Sequence, residues 1–83
     1  MKHDVVLPRL TETMEEGTLV TWHKKIGDFV DKREHFFDVE TDKSTMEVES
    51  VDSGYLCEIL IQEGEIATVG SVIAVLADTQ AEC

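Results

Sequence analysis

Phe36-Phe37-Asp38-Val39-Glu40-Thr41-Asp42-Lys43-Ser44-Thr45-Met46-Glu47-Val48 decides the fold of this chain. Two β-prone runs flank a polar reversal. With Asp42 and Lys43 as the central turn residues, Val39 faces Met46 and Phe37 faces Val48. Those pairs gather apolar side chains on one face, which specifies the register, because a one-residue slip would turn all of them outward. The other face pairs Glu40 with Thr45, Asp38 with Glu47 and Phe36 with Glu49. Opposed carboxylates are mildly destabilising and point to a solvated face. The reversal lacks the Asn-Gly or Asp-Gly of a type I′ turn. Thr-Asp-Lys-Ser suits a type I turn, with Asp42 or Ser44 bonding nearby backbone. Lys43 then projects from the tip, a handle for an enzyme that brings an activated acyl group. A lysine at such a tip is most often a solubility residue, so the rest of the chain must decide.

Outward from the hairpin, strand signals dominate. Val5–Leu7, Thr18–Trp22, Phe36–Val39, Met46–Val48, Tyr55–Ile61 and Val72–Leu76 read as strands, and glycines punctuate them. No segment keeps a helical apolar period, so almost no helix is expected. An imperfect repeat runs at an offset of 37 residues: Gly17 matches Gly54, Leu19 Leu56, Gly27 Gly64, Phe29 Ile66, Phe36 Ile73 and Val39 Leu76. Two such halves predict two antiparallel sheets related by a pseudo-twofold axis. By symmetry Val5–Leu7 lies beside Val72–Leu76, at the end opposite Lys43. Period-2 alternation places Val20, Trp22, Cys57 and Ile59 inward, with Thr21, Lys25, Glu58 and Gln62 outward.

Eighty-three residues make one small domain, with an ordered core over about 3–78 and a short tail over 79–83. An apolar fraction of 42% is that of a folded protein. A formal charge of −11 argues against nucleic acid, whose phosphates need clustered Lys and Arg. No apolar run nears the roughly 20 residues of a membrane span, and Met1-Lys2-His3-Asp4 lacks the apolar stretch of a signal peptide. The expected location is the bacterial cytoplasm or, in a eukaryote, the mitochondrial matrix. Two cysteines build no disulfide framework; Cys57 reads as a buried small hydrophobe and Cys83 as a thiol on a frayed tail. His3, His23 and His35 lack metal-ligand spacing, so no metal site is expected.

The residues resemble a lipoyl domain of a 2-oxo acid dehydrogenase complex, the swinging-arm part of a dihydrolipoyl acyltransferase. Leu7-Pro8-Arg9-Leu10 with Thr13-Met14-Glu15-Glu16-Gly17 is similar to that family's opening; Trp22, Gly27-Asp28, Val30 and Val69-Gly70 follow at family spacing. Glu40-Thr41-Asp42-Lys43 matches its attachment motif. The resemblance implies an all-β flattened barrel of two four-stranded antiparallel sheets, with lipoate in amide linkage to Lys43. It implies that Glu40, Thr41, Asp42, Ser44 and Gly54 are read by a lipoate ligase or lipoyl transferase. It further implies acyl and electron traffic between a thiamine-diphosphate 2-oxo acid decarboxylase, an acyltransferase domain and dihydrolipoyl dehydrogenase. The isolated domain would be monomeric, with no independent catalysis. In the family the Leu10–Glu16 loop approaches the lysine turn, which makes Glu12, Glu15 and Glu16 candidates for decarboxylase recognition. Arg33-Glu34 departs from the family's usual Gly-Asp. If position 33 needs positive φ, Arg33 carries roughly 1 kcal/mol of strain. His35, Phe36 and Phe37 also stand where smaller residues are common.

The nearest rival is a biotinyl carrier domain, but Asp42 and Ser44 flank the lysine where methionines are typical. A glycine-cleavage carrier is usually longer. An unmodified lipoyl-like assembly domain is a second class, against which Glu40, Lys43 and Gly54 speak. An enzyme reading built on Glu47, Glu49 and His35 has no marked pocket and ranks last.

Overall fold

Eight strands and one 3-10 turn account for the regular structure in the computed structural model, which describes residues 1–83. The strands are β1 (Lys2–Val6), β2 (Glu16–Trp22), β3 (Phe29–Val30), β4 (His35–Glu40), β5 (Thr45–Glu49), β6 (Gly54–Ile59), β7 (Ile66–Thr68) and β8 (Val72–Ala77). One sheet runs β1-β8-β6-β3 and the other β5-β4-β2-β7, every neighbouring pair antiparallel. The two orders are the same when β2, β3, β4 and β5 are exchanged for β6, β7, β8 and β1. That exchange is the sequence repeat in three dimensions. The expected pairing of the first and last strands is present, with Val5 opposite Ala74. Strands β3 and β7, at two and three residues, are too short to show alternation and escape a reading by periodicity. No helix is long and apolar enough to cross a membrane.

Four β-bulges occur as two symmetry pairs. Val20 is the extra residue of β2 against β4, and Cys57 that of β6 against β8. Phe36 is the extra residue of β4 against β5, and Ile73 that of β8 against β1. A bulge inserts one residue and so reverses the in–out phase beyond it. This corrects two expectations. Leu19 and Leu56 are the buried residues, whereas Val20 is 41% exposed and Cys57 only half-buried. Trp22 and Ile59 do pack against the core. Phe36 does not face Glu49 on a solvated surface; His35 takes that place, and Phe36 and Phe37 are both buried. Trp22 closes over the two rings at centroid distances of 5.3 and 5.1 Å. These bulky residues are thus accommodated as an aromatic cluster between the sheets.

The core of Leu7, Met14, Leu19, Val30, Val39, Leu56, Ile73 and Leu76 joins this cluster. Positive φ obeys the same symmetry: Gly27 (97°) and Gly64 (92°) are one pair, Arg33 (72°) and Gly70 (89°) the other. Arg33 therefore occupies a left-handed position that its repeat mate fills with glycine. Both cysteine expectations are overturned. Cys57 and Cys83 form a disulfide across a Cα–Cα distance of 4.9 Å. The 3-10 turn Gln80–Glu82 folds the tail back to make this possible.

Candidate functional site

Strands β4 and β5 reverse through Thr41–Ser44, and the predicted pairs Phe37–Val48, Asp38–Glu47, Val39–Met46 and Glu40–Thr45 are all present. Pairing thus continues to the base of the turn. The Thr41 amide donates to the Ser44 carbonyl at 2.9 Å. The Thr41 hydroxyl donates to the same carbonyl at 2.8 Å and accepts from the amides of Lys43 and Ser44, each at 3.1 Å. Its one proton and both lone pairs are used. Thr41, rather than Asp42 or Ser44, is therefore the residue that fastens the turn.

Asp42 is occupied elsewhere. Its carboxylate accepts hydrogen bonds from the hydroxyls of Thr11, at 2.8 Å, and Thr13. The Thr13 bond, then the Thr11 bond, hold this carboxyl below its ordinary range; a desolvation cost opposes them and the Lys43 charge adds to them. The Leu10–Glu16 loop is thereby tied to the residue preceding Lys43. Met14 anchors the loop from below: it is fully buried, and its Sδ accepts from the Leu10 amide at 3.3 Å. Gly17 allows the close approach. A Cβ there would sit 2.7 Å from Val39 Cγ2 and 3.0 Å from Met14 Cε.

Lys43 is exposed, and its side chain enters none of the ion pairs. Glu12, Glu15, Glu16 and Glu40 are exposed as well, and Glu16, Glu40, Thr41 and Asp42 line one shallow depression. The tip is thus an unpaired amine with an acidic surround, carried on a hairpin braced by its own hydroxyl and by the neighbouring loop. Gly54 stands apart. It lies in the other sheet, buried, where a Cβ would meet the Ala77 carbonyl oxygen at 2.7 Å. This is the repeat mate of the Gly17 contact with Glu40 O, so packing between β6 and β8 explains the glycine. Of the histidines, His3 pairs with Asp78. His23 and His35 converge on Asp38, a grouping that their spacing in sequence conceals.

The class these features define is a sandwich of two symmetry-related four-stranded sheets with an exposed lysine at the tip of a braced β-hairpin. The biotin/lipoyl family model, described as that of a biotin-requiring enzyme, matches residues 3–76, and the chain belongs to this family. It is 46% identical over 79 residues to dihydrolipoyllysine-residue acetyltransferase component 5 of the chloroplastic pyruvate dehydrogenase complex of Arabidopsis thaliana, covering 95% of this chain and 17% of that one. It is 49% identical over 75 residues to the acetyltransferase component of the pyruvate dehydrogenase complex of Rickettsia prowazekii, covering 89% and 18%. It is 44% identical over 75 residues to the dihydrolipoyllysine-residue succinyltransferase component of the 2-oxoglutarate dehydrogenase complex of Staphylococcus saprophyticus, covering 90% and 18%. The chain thus spans less than a fifth of the length of these relatives.

Among solved structures, the lipoyl domain of the Azotobacter vinelandii 2-oxoglutarate dehydrogenase complex superimposes with a TM-score of 0.71 at 38% identity, covering 89% of this chain and 94% of that one. Kluyveromyces lactis urea carboxylase aligns with a TM-score of 0.76 at 21% identity, over 93% of this chain and 6% of that one, and shares the fold.

Proposed function

We propose that the chain is a lipoyl carrier domain, with Lys43 as its attachment residue and no catalysis of its own. The observation that carries this is the hairpin tip: an exposed, unpaired amine on a turn fastened by the Thr41 hydroxyl and tied to the neighbouring loop through Asp42. The amine is reachable by a ligase, and the tip need not rearrange to present it. Lipoate in amide linkage supplies a dithiolane, a redox-active sulfur pair able to carry an acyl group. Loading removes one positive charge, taking the formal total from −11 to −12. The braced tip sets where the arm begins, and tethering keeps its cargo at high effective concentration near successive active sites.

Glu40, Thr41, Asp42 and Ser44 then serve the loading enzyme by presenting the turn, Thr41 through its three hydrogen bonds and Asp42 through the loop. Gly54 contributes by holding the sheet that backs the hairpin's own. Glu12, Glu15 and Glu16 serve recognition by a thiamine-diphosphate 2-oxo acid decarboxylase, since their loop is fastened beside the lysine. An acyltransferase domain and dihydrolipoyl dehydrogenase are the other partners of such a carrier. Biotin is the second reading because the fold admits it, but Asp42 and Ser44 flank the lysine, and the lipoyl relatives cover nearly the whole chain.

Reductive acylation of the loaded domain tests the function. Wild type should accept an acyl group from a cognate decarboxylase and Lys43→Gln should not. Charge reversal at Glu15 and Glu16 should slow acylation more than loading. Equal slowing of both steps would remove the recognition role from the loop.

A further inference from the structure

His23 follows β2 directly, and its amide donates to the Phe36 carbonyl at 2.9 Å, so it sits beside β4. His35 and Asp38 lie on β4 itself. In an unbroken strand, residues three apart face opposite ways. The bulge at Phe36 reverses the phase between them and puts both on the outer face. His23 Nε2 then lies 2.9 Å from Asp38 Oδ2, and His35 Nε2 lies 2.6 Å from Asp38 Oδ1. The two imidazole rings are 4.0 Å apart between centroids. Two imidazole nitrogens and a carboxylate oxygen therefore converge, all within 4.8 Å of one another.

We propose that His23, His35 and Asp38 form a binding site for one divalent transition-metal ion of the zinc class. Imidazole and carboxylate are its ordinary donors, and three protein ligands with water completing the shell is a common arrangement. Ligands at about 2.1 Å from a tetrahedral ion lie roughly 3.4 Å apart. The ion enters where the two hydrogen bonds now run: each N–O pair opens slightly while the widest separation closes. Partly exposed imidazoles can make that adjustment, and water can reach the open positions, because the histidine side chains are each 36% exposed and that of Asp38 20%. The surroundings favour a dication. Glu47 stands opposite Asp38 and Glu49 opposite His35 on β5. The nearest cation on the adjoining segment, Lys24, is neutralised by Glu34 at 2.9 Å. The site is separate from Lys43 and does not depend on the carrier reading.

The test is calorimetric titration of untagged, unlipoylated protein with ZnCl2, the two cysteines in their disulfide. One ion per chain should bind saturably at micromolar concentration. His23→Ala and His35→Ala should each weaken binding by at least about tenfold, the range that losing even an outer-shell partner costs. His3→Gln, which removes the separate His3–Asp78 pair, should leave binding unchanged. Histidine nitrogen spectra of the wild type give a readout that needs no variant: zinc should move the Nε2 signals of His23 and His35 and spare those of His3. Failure to saturate below millimolar zinc, affinity that survives loss of both His23 and His35, or a response centred on His3 would each overturn the site.

Discussion

Replacing Gly54 by alanine separates a packing requirement from direct recognition by a loading enzyme. A Cβ at position 54 would lie 2.7 Å from the Ala77 carbonyl oxygen, 3.3 Å from its carbon and 3.3 Å from Leu76 Cβ. The obstacles are mostly backbone, so β6 and β8 must move apart. Overpacking of this kind costs about 1–3 kcal/mol, and the upper part of the range applies where backbone must give. Alanine recovers roughly 0.5–1 kcal/mol by restricting the unfolded chain. The net loss is about 2 kcal/mol, or roughly 8–16 °C in Tm for a domain of this size. At Gly17 the near atoms are the Val39 and Met14 methyls, with Glu40 O at 3.3 Å. The two tightest contacts there are side-chain methyls rather than backbone, so Gly17→Ala should cost less, about half as much. Urea denaturation followed by fluorescence of the single tryptophan, Trp22, which packs on Phe36 and Phe37, reads both variants. If Gly54→Ala matches wild type in stability, or is milder than Gly17→Ala, close strand approach is not what the glycine is for. If it is destabilised as expected, lipoylation measured where it remains folded should proceed near the wild-type rate.

Three further outcomes follow from local geometry. Arg33→Gly should stabilise the fold by up to about 0.5 kcal/mol, the roughly 1 kcal/mol relief of a left-handed φ less the entropy glycine loses on folding; Arg33→Ala keeps the strained φ and should not stabilise, and an equal gain from both in denaturation would refute the strain. Thr11→Ala with Thr13→Ala should raise the Asp42 pKa toward the ordinary aspartate value of about 3.9, read by carboxyl-carbon NMR titration. Because the folded-state value is depressed, the loop–hairpin tie is complete above that ordinary value and is lost as pH falls through Asp42's own lower one; an unmoved titration would detach the loop from the turn. Cys57→Ser should lower stability by up to about 3.5 kcal/mol, the chain-entropy ceiling for a 26-residue separation; a reductant should reproduce the loss in the unlipoylated wild type, and indifference to both would unlink the tail.

The hairpin register, the pairing of first and last strands and the pseudo-symmetry were legible because apolar alternation and a 37-residue offset write them directly into the chain. Alternation failed where bulges interrupt it. Val20 and Cys57 carry apolar side chains at in-phase positions, yet the extra residue turns the phase and hands the core to Leu19 and Leu56. The same device buries Phe36 and brings His35 onto the face of Asp38, so the histidine cluster was invisible to spacing rules. Strands β3 and β7 were too short for any pattern, although the repeat had already matched Phe29 with Ile66. The disulfide was hidden because one partner is the last residue, and only the folding-back of the tail brings it near Cys57. At the lysine turn, Asp42 was expected to bond nearby backbone, but its partners are side chains 29 and 31 residues away, a distance no local rule spans.

Intact-mass measurement of the folded protein after incubation with a lipoate ligase, ATP and lipoate addresses the central assignment most directly. Addition of a single lipoyl group, mapped to Lys43 by peptide fragmentation and absent from Lys43→Gln, is the predicted result. Modification of a different lysine, exclusive loading by a biotin ligase, or an unchanged mass under conditions that load a known lipoyl domain would contradict it.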